Sequence, residues 1–262
     1  MRKTGQRRMP DAYEVCQKIR ANPATGLLPV VMVTALDPGQ ERVKGIEAGA
    51  DGSGGEWVEN GWVQSLAHPG GNVTGIMHLG TELGPKRLQL LKQALPKVTR
   101  VGVLVNPVSP GNRKELKLIE QAASGLRVTI VSATATQPGE LDAAFASFTK
   151  SRIGALLTAH NSLFLTERRR LLDLAAKQRV PVMAHRSIMA VDGALMSYSS
   201  ILSEQIRRAA HLADKILKGA KPADIPVELP TRFELVVNKK TAKTLGITFS
   251  GEIMLQAIRV IE

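Results

Sequence analysis

One cysteine, Cys16, occurs in 262 residues, which excludes an internal disulfide framework and any multi-cysteine metal site; a buried, inert thiol is the expectation. Aromatic residues reach only 3%, so the cores must be built from Leu, Val, Ile, Ala and Met, the usage of parallel α/β sheets rather than sandwiches. The same scarcity removes stacking platforms for bases, and with the basic residues dispersed no nucleic-acid partner is expected. No apolar run approaches the roughly 18 to 20 residues that span a bilayer. Acidic residues are few beside basic ones, 23 against 35, for a net charge of +12. The excess is confined: residues 1–64 hold eight of each sign, whereas residues 65–262 hold 27 basic and 15 acidic. Such asymmetry implies two units of different history and keeps an acidic partner in play.

What is present suits a folded chain: 44% apolar residues and a length sufficient for one large or two ordinary domains. Met1-Arg-Lys-Thr-Gly-Gln-Arg-Arg8 has the charge of a signal-peptide start but runs into Met9-Pro-Asp-Ala rather than an apolar segment, so the default expectation is cytoplasmic.

Residues 11–20 place Tyr13, Cys16 and Ile19 at helical spacing, Leu28–Ala35 is an apolar run of β-formers, and Asp37-Pro38 opens a second helix closed by Gly49-Ala-Asp-Gly52. These words resemble the second half of a response-regulator receiver domain: Met9-Pro10, Tyr13-Glu-Val-Cys16, Leu28-Pro-Val-Val-Met-Val-Thr-Ala35 and Gly45-Ile-Glu-Ala-Gly-Ala-Asp51. The resemblance puts Thr34 at the hydroxyl that senses the phosphoryl group. It finds no phosphoacceptor Asp, no acidic pair for Mg²⁺ and no strand-end Lys, so phosphorylation is not expected and the segment is a partial, flavodoxin-like fragment. Gly52-Ser-Gly-Gly55 has linker composition, and Trp57 and Trp62 follow it as expected cover for an apolar face or an oligomer contact. The expected organisation is therefore a receiver-like segment over 1–52, a linker over 53–64 and a second region over 65–262.

That region opens on Ser65–Met77, where Pro69-Gly-Gly71 turns and Asn72–Ile76 alternates as a short strand. An amphipathic helix over Glu82–Leu95 precedes a strand at Arg100–Val105. Helix 113–124 then leads to strand 127–131, helix 140–150 to strand 153–158, and helix 165–178 to strand 180–184. Alternation at this pitch predicts right-handed βαβ units, a parallel sheet, and a Rossmann-like lobe whose ligands sit beyond the strands' carboxyl ends. The residues there are Asn106, Pro107 and Ser109; Ser132 and Thr134; His160, Asn161 and Ser162; and His185 and Arg186. Amides, hydroxyls and one guanidinium able to pair with a carboxylate suit recognition of a small polar or zwitterionic solute better than bond-breaking.

Ser65-Leu-Ala-His-Pro-Gly-Gly-Asn-Val-Thr-Gly75, Lys86-Arg-Leu-Gln-Leu-Leu-Lys92, Val101-Gly-Val-Leu-Val-Asn-Pro107, Gly193-Ala-Leu-Met-Ser-Tyr-Ser199, Arg207–Glu228 and Phe233–Gly246 together resemble the ABC-transporter substrate-binding family with a type I periplasmic-binding-protein fold. The resemblance runs unbroken from Ser65 to Glu262. It implies a periplasmic, two-lobed binder that closes on a solute such as an amino acid between its lobes and delivers it to an ABC permease. It also implies crossings at Asn72–Gly75 and Gly193–Ser199, Asn106 and Asn161 facing the ligand, and Ser197 and Tyr198 near a crossing. Strand-end Asn residues that cap the next helix are an equal reading of Asn106 and Asn161. Where a family member carries most of its first lobe, this chain carries the receiver-like piece, which suggests a gene fusion: either that piece substitutes for part of the missing sheet, or the second lobe stands alone with an exposed edge that invites a homodimer.

Catalytic patterns are absent. Gly80-Thr-Glu-Leu-Gly84-Pro-Lys86 is one residue short of a phosphate loop, and five dispersed histidines offer no local metal motif, with at most two expected to converge. Arg168-Arg-Arg170 reads as a solvated mid-helix face, and no nucleophile elbow appears. The expectation is a non-enzyme without cofactor or metal: a partial or hybrid ABC solute-binding protein, with a degenerate receiver-type signalling protein and a non-functional fusion product as alternatives.

Overall fold

The alternation of apolar runs and amphipathic stretches after residue 80 resolves, in a computed structural model, into one seven-stranded sheet covered on both faces. The structure describes residues 57–58 and 61–262. The receiver-like segment, with Cys16, Thr34 and the expected strand 28–35, lies outside the described residues. The described residues divide into two compact units, one of His78–Arg207 with Leu229–Glu262 and one of the described residues up to Met77 with Arg208–Glu228.

In the unit that begins at His78, α1 (Gly84–Ala94) leads to β1 (Arg100–Val105), α2 (Pro110–Gly125), β2 (Thr129–Thr134), α3 (Leu141–Ser151) and β3 (Ala155–Thr158). Next come α4 (Ser162–Thr166), α5 (Arg168–Lys177), β4 (Val182–Ala184), α6 (Ser187–Val191) and β5 (Met196–Ser200). Helix α7 (Leu202–Leu217) carries the chain out of the unit, and it returns as β6 (Phe233–Asn238), α8 (Lys239–Leu245), α9 (Gly251–Gln256) and β7 (Arg259–Ile261). The strand order is β2-β1-β3-β4-β5-β6-β7, parallel except where β6 runs antiparallel to β5. Because β1 pairs with β2 on one side and β3 on the other, the order reverses there. Helices α2 and α3 consequently leave toward opposite faces and a crevice opens at the carboxyl ends of β1 and β3.

Alternation along each strand supplies both cores. Val101, Val103 and Val105 of β1 pack with Leu88 and Leu91 of α1, Ile119 of α2 and Ile253 of α9. Leu104 faces the opposite layer, with Phe145 and Phe148 of α3, Leu171 of α5 and Met189 of α6. Each such fully buried side chain contributes about 1.5–3 kcal/mol. Gly102, on the Leu104 face, is what lets α3 close in: a Cβ there would stand 2.6 Å from Ile153 Cδ1 and 3.0 Å from the Phe148 ring.

Three strands start two residues later than the sequence predicts, for one reason. After α2, α3 and α5 the chain turns through Arg127, Arg152 and Arg179, at φ 54°, 50° and 54°. In each turn the next residue's amide reaches back into the helix: Val128 to Ala123, Ile153 to Phe148, Val180 to Ala175. This is the closure usually made with glycine, and it takes the first two expected strand residues for itself. The expected helix 165–178 is also broken at Glu167, where the Arg168 guanidinium donates to the Leu165 carbonyl at 3.1 Å. Arg168 and Arg170 therefore open α5 instead of lying mid-helix, paired with Asp192 and Asp142. Gly193–Ser199 is not a crossing: it turns at Gly193 and enters β5, inside the sheet.

In the other unit, Trp57, Val63, Val73 and Val227 form a small core flanked by Trp62, Leu66 and Met77. The buried Thr74 hydroxyl donates to the Ile225 carbonyl at 2.7 Å, and Ile76 makes a parallel bridge with Glu228. The strand expected over Asn72–Ile76 is reduced to that bridge. Among the described residues no helix is long and apolar enough to cross a membrane.

Candidate functional site

The crevice between β1 and β3 is built from α2. Ser109 caps this helix by accepting the Asn112 amide, and Asn112 then bridges the two strand ends. Its Oδ1 accepts the Asn106 amide at 2.9 Å and its Nδ2 donates to the His160 carbonyl at 2.8 Å. One turn on, Glu115 Oε2 accepts the His160 amide at 2.8 Å, so residues three apart on one helix face grip both peptide groups of His160. Glu115 Oε1 accepts from Arg87 Nη1 at 2.7 Å, with both side chains fully buried. Arg87 Nε in turn donates to the Tyr198 carbonyl at 3.0 Å, which ties α1 and α2 to β5. Burial lifts the Glu115 carboxyl to about 7 although Arg87 pulls the other way, and burial likewise lowers the Arg87 pKa against the attraction of Glu115.

Around this brace three histidines meet, one more than the sequence predicts. β3 and β4 are parallel neighbours, so His160 and His185 leave the sheet side by side, with ring centroids 5.2 Å apart. His78, from the segment before α1, tilts over His160 at 4.3 Å. His78 and His160 are tilted by 35° and His185 meets His160 edge-on, and no group of three ligands among the described residues is arranged to hold a metal ion. His185 Nδ1 lies 3.0 Å from the buried Thr158 hydroxyl. Burial, then the charges of Arg186 and Arg87, pushes His78 down to about 3. Burial is also the largest cause for His160 and His185, which fall well below the usual imidazole value.

The glycines of the phosphate-loop-like stretch have a packing role here. A Cβ at Gly80 would stand 2.5 Å from His160 Cγ and 2.8 Å from His78 Cε1, and one at Gly84 would stand 2.9 Å from Glu115 Cγ. Gly80→Ala is expected to displace these rings and cost about 1–3 kcal/mol. A urea-midpoint shift smaller than that of an Ala substitution at exposed Gly71 would contradict this.

Of the ligand-facing residues predicted from sequence, Asn161 is a helix cap: its Oδ1 accepts the Leu163 amide at 2.9 Å, while its buried Nδ2 has no hydrogen-bond partner. Asn106 Oδ1 accepts the Val108 amide at 3.1 Å within the β1 turn. Ser197 is fully buried on β5 with its Oγ unpartnered, whereas the Tyr198 ring points to the other face and stacks on Phe233. Ser132 and Thr134 sit exposed on the edge strand β2, apart from the rest. Arg186, 7% exposed, pairs with no carboxylate among the described residues. Sequence reasoning missed Arg87, Asn112, Glu115 and His78. A signal existed for Arg87, which lies on the same helical stripe as Gly84, Leu88 and Leu91.

Residues 53–261 match the description "ABC transporter substrate binding protein". The chain belongs to that family. Its fold is that of type I periplasmic binding proteins, as the resemblance implied. A domain from Streptococcus pneumonia solved in complex with L-Trp superposes with a TM-score of 0.77 at 21% identity, covering 95% of this chain and 85% of that one. The tyrosine-binding protein of Clostridioides difficile is 25% identical over 225 residues, 86% of this chain and 59% of the relative, so the chain spans about three-fifths of that protein's length. A stretch of 40 residues is 45% identical to the response regulator PleD of Caulobacter vibrioides, covering 9% of that protein. The family binds small solutes and works with ABC permeases.

Proposed function

We propose that the chain is the solute-binding component of an ABC transporter and holds an amino acid at the carboxyl edge of its seven-stranded sheet. The observation that carries this is Asn161: its carbonyl is occupied by the cap of α4, yet its amide nitrogen is buried without a partner at the end of β3. A buried amide N–H costs stability unless something accepts from it, and a bound solute is such an acceptor. Ser197 Oγ, one strand beyond β4, is left in the same state. Asn106 shapes the opposite lip of the crevice, and Tyr198 supports the edge through its carbonyl on Arg87. The choice of an amino acid is supported by the relatives, one described as tyrosine-binding and one solved with L-Trp. The match to PleD supports a receiver-derived segment joined to the binding region. Pairing of two chains is a separate expectation, which the mass in solution reads directly.

The test is thermal unfolding of the full chain against the twenty amino acids and a set of sugars. L-tyrosine or L-tryptophan at 100 times Kd should stabilise by about 2.7 kcal/mol through preferential binding to the folded state. Asn161→Ala should abolish the shift. A shift with sugars alone, or with no amino acid, would overturn the reading.

A further inference from the structure

We infer that this edge is a carboxylate receptor that reads the anionic end of its solute and not an ammonium group, with Arg186 as the counter-ion and His78 Nε2–H as a second donor. The inference rests on the solute-binding reading and names the chemistry that the site selects.

The first observation is the contrast between two buried arginines. Arg87 has Glu115 at 2.7 Å, whereas Arg186, at the start of α6, has no ion pair among the described residues. A buried guanidinium without an anion is costly, and its planar fork matches a carboxylate. Arg186 directly follows His185, whose ring lies 5.2 Å from that of His160, and His160 in turn lies 4.3 Å from His78, so the guanidinium belongs to the same strand-end cluster.

The second observation is the sign of the unpartnered atoms. His78 Nδ1 accepts the Gly80 amide at 2.8 Å and must therefore carry a lone pair. A neutral ring then bears its proton on Nε2, which is buried without a partner. Asn161 has its oxygen occupied and only its NH2 unpartnered, and Arg87 Nη2 is a further unpartnered donor. Wherever the hydrogen-bonding sense is fixed, it is donating. No acceptor of matching strength stands nearby, because both Glu115 oxygens are occupied by Arg87 and His160. An anion satisfies such an array and an ammonium group does not.

The third observation explains why the donors stay neutral apart from the arginines. Burial, then the charges of Arg186 and Arg87, hold the His78 ring uncharged, so its Nε2–H adds a hydrogen bond without adding charge.

The experiment titrates the full chain calorimetrically with L-tyrosine, 3-(4-hydroxyphenyl)propionate, L-tyrosinamide, tyramine and inorganic sulfate, in the wild type and in Arg186→Gln and Arg186→Lys. Affinity for L-tyrosine should be kept within about tenfold by the des-amino acid and should fall at least about 30-fold for the amide and the amine. Arg186→Gln should lose at least the same factor, and Arg186→Lys should recover part of it. Without solute, Arg186→Gln should raise the melting temperature, because an unpaired buried charge is gone. If tyrosine binds but tyrosinamide binds equally, or Arg186→Gln leaves affinity unchanged or lowers the solute-free melting temperature, the carboxylate receptor falls while the amino-acid reading stands. If the des-amino acid binds through Arg186 and no amino acid does, the reverse holds. Binding of sulfate alone, or of none of the five, overturns both.

Discussion

Glu115→Ala is expected to cost about 3–5 kcal/mol. Three losses coincide: Arg87 keeps only the Tyr198 carbonyl at 3.0 Å, the His160 amide loses its acceptor, and a cavity opens beside Ile119. The gain of the pair itself over an apolar replacement is small, because both charges are fully buried. Arg87→Met combined with Glu115→Leu should therefore lose less than Glu115→Ala alone. Urea denaturation of Glu115→Ala beside wild type, Arg87→Met, Glu115→Leu and their combination, the last four read as a double-mutant cycle, checks both statements. Additive losses from the two positions would show that the pair is not coupled.

The second expectation concerns acid. His78, His160 and His185 have folded pKa values far below the imidazole value near 6.5, His78 at about 3, so the unfolded chain binds more protons than the folded one below pH 6.5. Their stability contribution is fully present above about pH 6.5 and is lost as pH falls toward the folded values. Glu115, raised to about 7 from 4.5, titrates in the opposite sense between those values and offsets roughly one histidine. Two groups remain, which gives a loss of up to about 2.7 kcal/mol per pH unit between about pH 6 and pH 5. Urea midpoints across this range should fall steeply, and His160→Gln should flatten the slope by about half. A midpoint that stays level or rises on acidification contradicts the assignment.

Much of this fold was legible because its periodicities are clean. Arg100–Val105 is a strand at the residues predicted, since an apolar run between Arg100 and Asn106-Pro107 has no competing reading. The later strand starts were missed because arginine, which gives no turn signal, occupies the left-handed position at residues 127, 152 and 179. At the site, Asn106 and Asn161 were placed correctly at strand ends, since that position follows from strand length alone. The expectation that at most two histidines converge failed because, besides the pair that strand order brings together, the segment before α1 lays His78 over His160. His160 and His185 are 25 residues apart in sequence, but their strands are adjacent.

The sequence by itself determined the class of fold, the family and the carboxyl edge of the sheet as the place where polar groups gather. Local patterns carry those, through side-chain period and the direction of βα connections. Only the tertiary structure decided which polar groups are satisfied there. Glu115 neutralises Arg87 and not Arg186, and the Gly80 amide turns the proton of His78 toward an empty acceptor position. The first outcome depends on a 2.7 Å contact between residues 28 apart in sequence, and the second, though its 2.8 Å hydrogen bond is local, on the burial of His78 over His160, which no local pattern encodes.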